Sequence, residues 1–176
     1  LTTITDSVGR SVTLTYSGSL VTRATDPIGR TWNYTYAVSG GTGNVLLTVQ
    51  GPLKQTWRYA YTNSRLSSIT DPRGVVIKQI TYDTGGRVTQ QKFADGGIER
   101  YEYDLSGATV TGTRITDPMG RVKALRFNAS GYILEKTDSF GQRSRIDRDL
   151  TTNLPTSNVG PCGCPEATRT FDSRGN

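Results

Sequence analysis

The chain has 176 residues, a net charge of +6 and 34% hydrophobic residues. That apolar share lies below the roughly 45–50% of an ordinary globular domain and predicts a thin core, while 20 Gly, 7 Pro and abundant Thr favour strands and turns over helices. No stretch approaches the ~18 apolar residues of a membrane-spanning helix, and "LTTITDSVGR" has neither the charged head nor the apolar centre of a signal peptide.

In chain order, the first strand signal is "VTLTY", where Val12, Leu14 and Tyr16 alternate with polar residues, and "LVTRAT" (20–25) reads as its return. Next comes "TDPIGRTWNYTY". Asp26, Pro27 and Gly29 occupy the positions that a type I turn prefers, with Asp at the first place, Pro fixing φ at the second and Gly at the fourth. The alternation that follows puts Trp32, Tyr34 and Tyr36 on one face of a strand and Thr31, Asn33 and Thr35 on the other. "AVSGGTGN" (37–44) is an enlarged surface loop before the return strand "VLLTVQ" (45–50).

The same sentence then repeats. "GPLKQTWRYAY" carries Trp57, Tyr59 and Tyr61 in the alternating places, and "RLSSIT" (65–70) returns to a second Asp-Pro-x-Gly at Asp71, Pro72 and Gly74. "YDTGGR", beginning at Tyr82, is a hairpin loop before "RVTQQKF" (87–93). Tyr101 and Tyr103 open "YEYDLSGA", read as another loop headed by Asp104. Asp117, Pro118 and Gly120 form the third Asp-Pro-x-Gly, followed by Leu125, Phe127 and the loop "FNASGY". The closing glycines fall at Gly9, Gly29, Gly74, Gly97, Gly120, Gly141 and Gly163, with Lys54 in the equivalent place, a period of ~20–25 residues that marks a repeat architecture. One repeat is an antiparallel hairpin, and consecutive hairpins make a meander. The fold expected is all-β, a single array of about eight repeats over residues 1–176 with the last cut short. A twisted sheet of that length must curve or spiral.

The aromatics are expected to be buried rungs that meet across neighbouring strands and hold one repeat to the next. The competing reading is an exposed aromatic platform for sugars or bases. Arg10, Arg30, Arg87 and Arg121 each follow a turn glycine and are dispersed over the repeat rather than gathered in one basic run. They read as a solvated surface with scattered acidic partners, and no nucleic-acid interface is expected.

The chain has no histidine, so Ser-His-Asp catalysis and histidine metal ligation are unavailable. Asp26, Asp71, Asp104 and Asp117 could pair as acid and base, but their turn positions explain them more simply. No Gly-x-Ser-x-Gly elbow and no phosphate-cradling lysine loop is present. Catalytic, cofactor and metal sites are therefore expected to be none. Cys162 and Cys164 in "GPCGCPE" leave three readings open: thiols in a turn, a strained or intermolecular disulfide, or two ligands of a metal site that needs more.

"YDTGGRVTQ", "YEYDLSGATVTGTRITDPMGR" and "TDPIGRTWNYTY" resemble the YD repeat of the RHS (rearrangement hotspot) family, in phase along essentially the whole chain. The resemblance implies a long β-strip that spirals into a hollow shell. In bacterial RHS proteins and similar toxin complexes the shell encloses a toxic C-terminal domain, and in teneurins a related shell belongs to an adhesion receptor. It also implies an exported or cell-surface protein whose partners are the rest of its own shell and an enclosed cargo. The self-cleaving protease segment of such shells continues Asp-Pro-x-Gly with an apolar residue and Gly-rich sequence. Arg30, Val75 and Arg121 follow the three copies here, so that activity is not carried over. The rival function is a surface adhesion or carbohydrate-binding array that presents Trp32, Tyr34, Trp57 and Tyr59. Unguarded first and last strands would favour self-association by strand addition.

Overall fold

The computed structural model describes residues 1–38 and 43–172. It contains sixteen strands in one open sheet, hydrogen-bonded in chain order, and no helix among the described residues. The expected all-β meander of antiparallel hairpins is thus what the chain builds. The stretch 37–44 expected as an enlarged loop is shorter than that, since Ala37 and Val38 belong to one strand and pair with Val45 and Asn44 of the next; its residues 39–42, and 173–176 of the terminal "FDSRGN", lie outside the described residues.

Two compact units divide the chain. The first, Leu1–Thr81 with Lys92–Gly96, holds β1 (Thr3–Thr5), β2 (Ser11–Ser17), β3 (Leu20–Thr25), β4 (Thr31–Val38), β5 (Asn44–Gln50), β6 (Thr56–Thr62) and β7 (Arg65–Thr70). Strands β8 (Val76–Tyr82) and β9 (Val88–Phe93) lie at the division. The second unit, Tyr82–Gln91 with Gly97–Asn176, holds β10 (Ile98–Ser106), β11 (Thr109–Thr116), β12 (Val122–Phe127), β13 (Ile133–Thr137), β14 (Arg143–Arg148), β15 (Pro155–Val159) and β16 (Pro165–Thr168).

Period-two alternation sorts side chains onto two faces. In the first unit one face is aromatic and aliphatic: Tyr34 and Trp57 flank Val49, Tyr59 stands opposite Ile69, and Trp32 and Leu14 flank Ala24. The other face is polar. Thr3, Thr13, Thr25 and Thr31 form one row and Thr15, Arg23, Asn33, Gln50 and Thr56 another. In the second unit Tyr101 stands opposite Ile115, and Thr113 lies between Tyr103 and Leu125. The expectation that rings meet rings across neighbouring strands is corrected here. In the first unit each aromatic-rich strand is separated from the next by a return strand carrying Val, Leu or Ile, so a ring meets an aliphatic side chain, while in the second Tyr101 meets Ile115 and Tyr103 meets Thr113.

Burial corrects a second expectation. No apolar side chain is buried among the described residues; Tyr34 and Tyr59 are half-buried, and Trp57 is 36% exposed. One sheet layer shields a side chain only with its row neighbours, so truncating Tyr34 or Tyr59 removes less than the 3–5 kcal/mol typical of a buried ring.

Two kinds of turn recur between the strands, and Asp149–Leu154 is a six-residue variant with Asn153 (φ 59°) at its fifth place. Two-residue hairpins occur at Gly18-Ser19, Asn63-Ser64 and Gly107-Ala108. Positive φ falls on the first residue alone at Gly18 and Gly107, both at 60°, and on both residues at Asn63 (49°) and Ser64 (61°), the type II′ and I′ patterns that match strand twist. Strand β10 accordingly runs through Asp104 to Ser106, and Asp104 heads no loop, contrary to the reading of "YDLSGA". The second kind is a five-residue loop with a positive-φ residue at its fourth place. The Phe93–Gly96 turn puts Gly96 (φ 86°) in that place rather than Gly97.

The return strands also carry a recurrent β-bulge that the alternation pattern did not announce. Pairing shifts between Thr15 and Tyr16, Thr35 and Tyr36, and Ala60 and Tyr61 in the first unit. It shifts between Asp104 and Leu105, Arg126 and Phe127, and Asp147 and Arg148 in the second. Opposite these steps Thr22, Leu47, Ser67, Thr111, Leu134 and Thr156 are skipped. The hydroxyls of Thr22 and Thr111 donate to the carbonyls of Thr15 and Asp104, at 3.3 and 3.2 Å. A bulge raises local twist at the same point of each of these hairpins.

Glycine at the fourth turn place serves conformation rather than space: Gly29 has φ +85° and a Cβ there would meet nothing within 4 Å. Gly29→Ala is expected to lower stability by about 1–2 kcal/mol through left-handed strain alone. Chemical denaturation checks this, and an unchanged midpoint would remove strain as the reason for the glycine.

Candidate functional site

The feature that recurs most faithfully is the five-residue turn, and its first residue organises it. In Asp26–Arg30 the Gly29 N–H donates to the Asp26 carbonyl at 3.0 Å and the Asp26 N–H to the Arg30 carbonyl at 2.9 Å, a type I turn closed by a bulge. The side chain then binds three more donors. Asp26 Oδ1 accepts the N–H groups of Ile28 (3.1 Å) and Arg30 (2.8 Å), and Oδ2 accepts the Arg30 Nε–H at 2.6 Å. Asp117 repeats the arrangement with Met119 (2.9 Å), Arg121 N–H (3.0 Å) and Arg121 Nε–H (2.7 Å). Asp6 does the same with Val8 and Arg10, and Asp83 binds both the N–H and the Nε–H of Arg87.

"Tyr-Asp-x-x-Gly-Arg" and "Asp-Pro-x-Gly-Arg" are therefore one device, which the sequence reading treated as two. The arginines after the turn glycines are the second half of a clamp: Arg10, Arg30 and Arg121 stay largely solvated, as expected, and the acidic partner of each is the turn aspartate four residues earlier. Asp71 is followed by Val75 at the fifth place, and Arg73 substitutes by reaching back to Oδ2 at 2.8 Å. Asn128 and Asp138 keep the two backbone bonds without an arginine. At Gly51–Gln55 no side chain heads the turn; Lys54 takes the left-handed place (φ 62°) and the Gln55 amide lies over Gly51.

The clamp arginine also touches the strand that follows or neighbours it. Arg30 sits over the Trp32 ring at 5.9 Å and Arg87 over the Tyr103 ring at 5.7 Å. Such cation–π contacts contribute about 0.5–1 kcal/mol at exposed sites. Of the other aromatics singled out by sequence, Tyr36, Tyr61, Tyr82, Tyr101 and Phe127 are half-buried like Tyr34 and Tyr59.

Several side chains at strand ends do a job that alternation alone could not reveal. The β3–β4 ladder closes at Arg23 opposite Asn33, and beyond it the Tyr36 hydroxyl donates to the Val21 carbonyl at 2.8 Å. Tyr16 donates to the Leu1 carbonyl (2.6 Å) and Tyr103 to the Val88 carbonyl (2.7 Å), while the Arg148 Nε–H reaches the Ile133 carbonyl (2.9 Å). The partner lies 15 residues earlier every time. The signal available in sequence was the use of Tyr rather than Phe, since a half-buried phenol takes a polar partner.

Electrostatics follow the geometry. The carboxyls of Asp26 and Asp117 feel desolvation most strongly, which pushes them up, but the combined hydrogen bonds from Arg30 and Arg121 outweigh it and hold both below the ordinary range. Asp71 is lowered in the same way through Val75 and Arg73. The Arg10 side chain lowers Asp6, the Arg87 backbone N–H lowers Asp83 and the Thr152 backbone N–H lowers Asp149. Burial, reinforced by Glu99, pushes the Tyr101 phenol up to about 12. The surface carries open grooves. One in the first unit is lined by Val12, Ile28 and Trp32 together with the Asp6–Arg10 and Asp26–Arg30 clamps.

The fold so described is a single-layer antiparallel meander, and it recurs in solved structures. A chain of the Tc holotoxin pore of Photorhabdus luminescens aligns over 95% of this chain with a TM-score of 0.59 and 17% identity. A TcdB2-TccC3-TEV crystal structure aligns over 89% with a TM-score of 0.57 and 17% identity. One of TcdB2-TccC3-Cdc42 aligns over 99% with a TM-score of 0.52 and 14% identity. At these identities the likeness is one of fold, and it is consistent with the YD-repeat resemblance of the sequence. This chain spans 10%, 9% and 11% of those chains respectively. Among curated proteins, double-stranded DNA deaminase toxin A of Burkholderia cenocepacia (strain H111) is 34% identical over 79 residues, 44% of this chain and 5% of that protein. No family model matches.

Replacing Tyr36 with Phe is expected to cost about 0.5–1.5 kcal/mol, the net value of one hydrogen bond, while Tyr34→Phe serves as the control and stays within error. Urea titration of the three proteins checks it.

The turn carboxylates also set a pH dependence. Their folded pKa values lie below the unfolded value of 3.8, so their contribution is complete above that value and is lost as pH falls through the lowered folded values. The thermal midpoint is expected to fall steeply only below about pH 4. The Asp26→Asn, Asp117→Asn double variant is expected to show a shallower fall.

Proposed function

We propose that this chain is a stretch of wall from a YD-repeat shell protein of the RHS type, whose larger parent encloses and delivers a toxin cargo. The observation that carries the reading is the in-phase series of turn clamps, within a fold shared over nearly the whole chain with toxin-complex proteins. The 79-residue likeness to a much longer deaminase toxin supports a toxin-associated parent. The chain's own part is structural and not enzymatic. A zinc deaminase draws on a histidine with two cysteines, or on three cysteines, together with a catalytic glutamate; this chain has no histidine and two cysteines.

Residues 1–176 form one array of about eight repeats in this reading, and the site residues are the turn heads and half-buried rings rather than a reacting group. The partners are the remainder of the parent's own wall and the cargo. The third turn place supports the first of these: Val8, Ile28, Leu53, Met119 and Phe140 are at least 73% exposed, apolar tips offered to a neighbouring surface. Self-association through the three-residue strand β1, exposed throughout, belongs to the isolated segment. No helix is long and apolar enough to cross a membrane among the described residues, and an exported or cell-surface location follows from the family reading.

An adhesion or glycan-binding array is the second reading, favoured by the exposed ring of Trp57 and by Trp32 beside the groove of the first unit. In the full-length parent, limited proteolysis is expected to leave the cargo intact until the wall is cut. Opening the wall with Asp26→Ala and Asp117→Ala together is expected to expose the cargo at lower protease concentration. A cargo digested equally fast in both proteins, with glycan binding that Trp57→Ala abolishes, would replace the shell reading with the second.

A further inference from the structure

The Gly160–Cys164 loop has the same backbone as the clamp turns: the Gly160 N–H donates to the Cys164 carbonyl at 3.1 Å, the Gly163 N–H to the Gly160 carbonyl at 3.0 Å, and Gly163 has φ 74°. Its first residue is glycine, so no carboxylate is present to bind the N–H groups of the third and fifth places. Those places are Cys162 and Cys164. One sulfur takes over part of that role: the fifth-place N–H, of Cys164, donates to Cys162 Sγ at 3.2 Å. The Cys164 thiol in turn donates to the Cys162 carbonyl at 3.8 Å, and the neighbouring Cys162 side chain, together with desolvation, raises the Cys164 thiol. Both residues are exposed.

We propose that Cys162 and Cys164 form a thiol–disulfide exchange site that reacts with small-molecule disulfides and closes the turn with an intraloop disulfide, a covalent counterpart of the Asp–Arg clamp. Cys162 lies at the turn tip and carries the N–H contact that a thiolate uses, so it attacks first. Its thiolate forms a bond to one sulfur of the small disulfide and expels the other as a thiolate, leaving a mixed disulfide on Cys162. Cys164, deprotonated, then attacks Cys162 Sγ and expels the second small thiolate. The protein gives up two electrons and two protons, and the small disulfide becomes two thiols. The intervening Gly163, in the left-handed region, supplies the backbone freedom that a ring closed across one residue needs.

The inference does not rest on the shell reading. The full chain would be equilibrated in reduced and oxidised glutathione of graded ratio, quenched by alkylation and mapped by mass spectrometry. The expected result is a peptide that loses two hydrogens and both alkylation sites together, with a glutathione adduct seen only transiently. Cys162→Ser and Cys164→Ser are each expected to stop at one persistent glutathione adduct, with Cys164→Ser acquiring it faster. Phenylarsine oxide, which bridges paired thiols, is expected to block alkylation of the unmodified chain at one equivalent and of neither variant. Oxidation is also expected to slow amide exchange at Gly163 and Cys164. Two stable glutathione adducts per chain, or disulfides between chains in place of the intraloop bond, would overturn the proposal. An unchanged exchange rate on closure would overturn the equivalence with the clamp.

Discussion

A sheet one layer thick has no interior, and that constraint decides how the rest of this molecule is held. Hydrophobic burial ordinarily supplies the dominant favourable term in folding, yet no apolar side chain is buried among the described residues. What remains is the backbone ladder, partial shielding of rings by aliphatic row neighbours, and a set of local polar fixings. The turn aspartate is the most economical of these. A single carboxylate such as that of Asp26 satisfies two backbone N–H groups and an arginine, and the same arginine lies over Trp32. Turn, clamp and strand face are thereby coupled within seven residues of sequence.

Partial order at strand ends follows the same logic. Where a ladder stops, carbonyls would face a gap. Tyrosine hydroxyls, and once an arginine, reach across to them at a constant sequence offset. The bulges stand near these places, with Tyr16 and Tyr36 next to pairing shifts and also donating to a carbonyl of the preceding segment. Twist introduced on one side of a strand and a hydrogen bond restored on the other are two parts of one local adjustment.

Much of this was legible in the chain's own residues. Asp-Pro-x-Gly announced turns by well-understood preferences, and the returns "LVTRAT" and "RLSSIT" coincide with β3 and β7. Short-range signals suffice when the structure is made of short-range interactions. The misses share a cause as well. Asp104 and Asp83 look alike in sequence because both precede a glycine by three residues, but only Asp83 is followed by an arginine placed to return to it, while Asp104 pairs across the sheet with Gly112. Bulges leave little trace in a period-two pattern, because skipping one residue on the return strand alters the register without altering its composition. Burial was overestimated since alternation shows which face a ring occupies and not what covers it. The candidate site was legible as turn heads; its arginine half was seen as residues and not as partners.

The sequence offsets of these fixings carry a further consequence. A clamp closes within five residues, a tyrosine bridge spans 15, and each strand bonds to the next in the chain. No interaction of this kind waits for a distant part of the polypeptide to arrive. A chain so wired has low contact order, pays little loop-closure entropy for each step, and can assemble from either end as a zipper does. It can acquire its structure strand by strand in the order in which it is made, and a lengthened version needs only another pair of strands with its own turn chemistry, leaving those already formed unchanged.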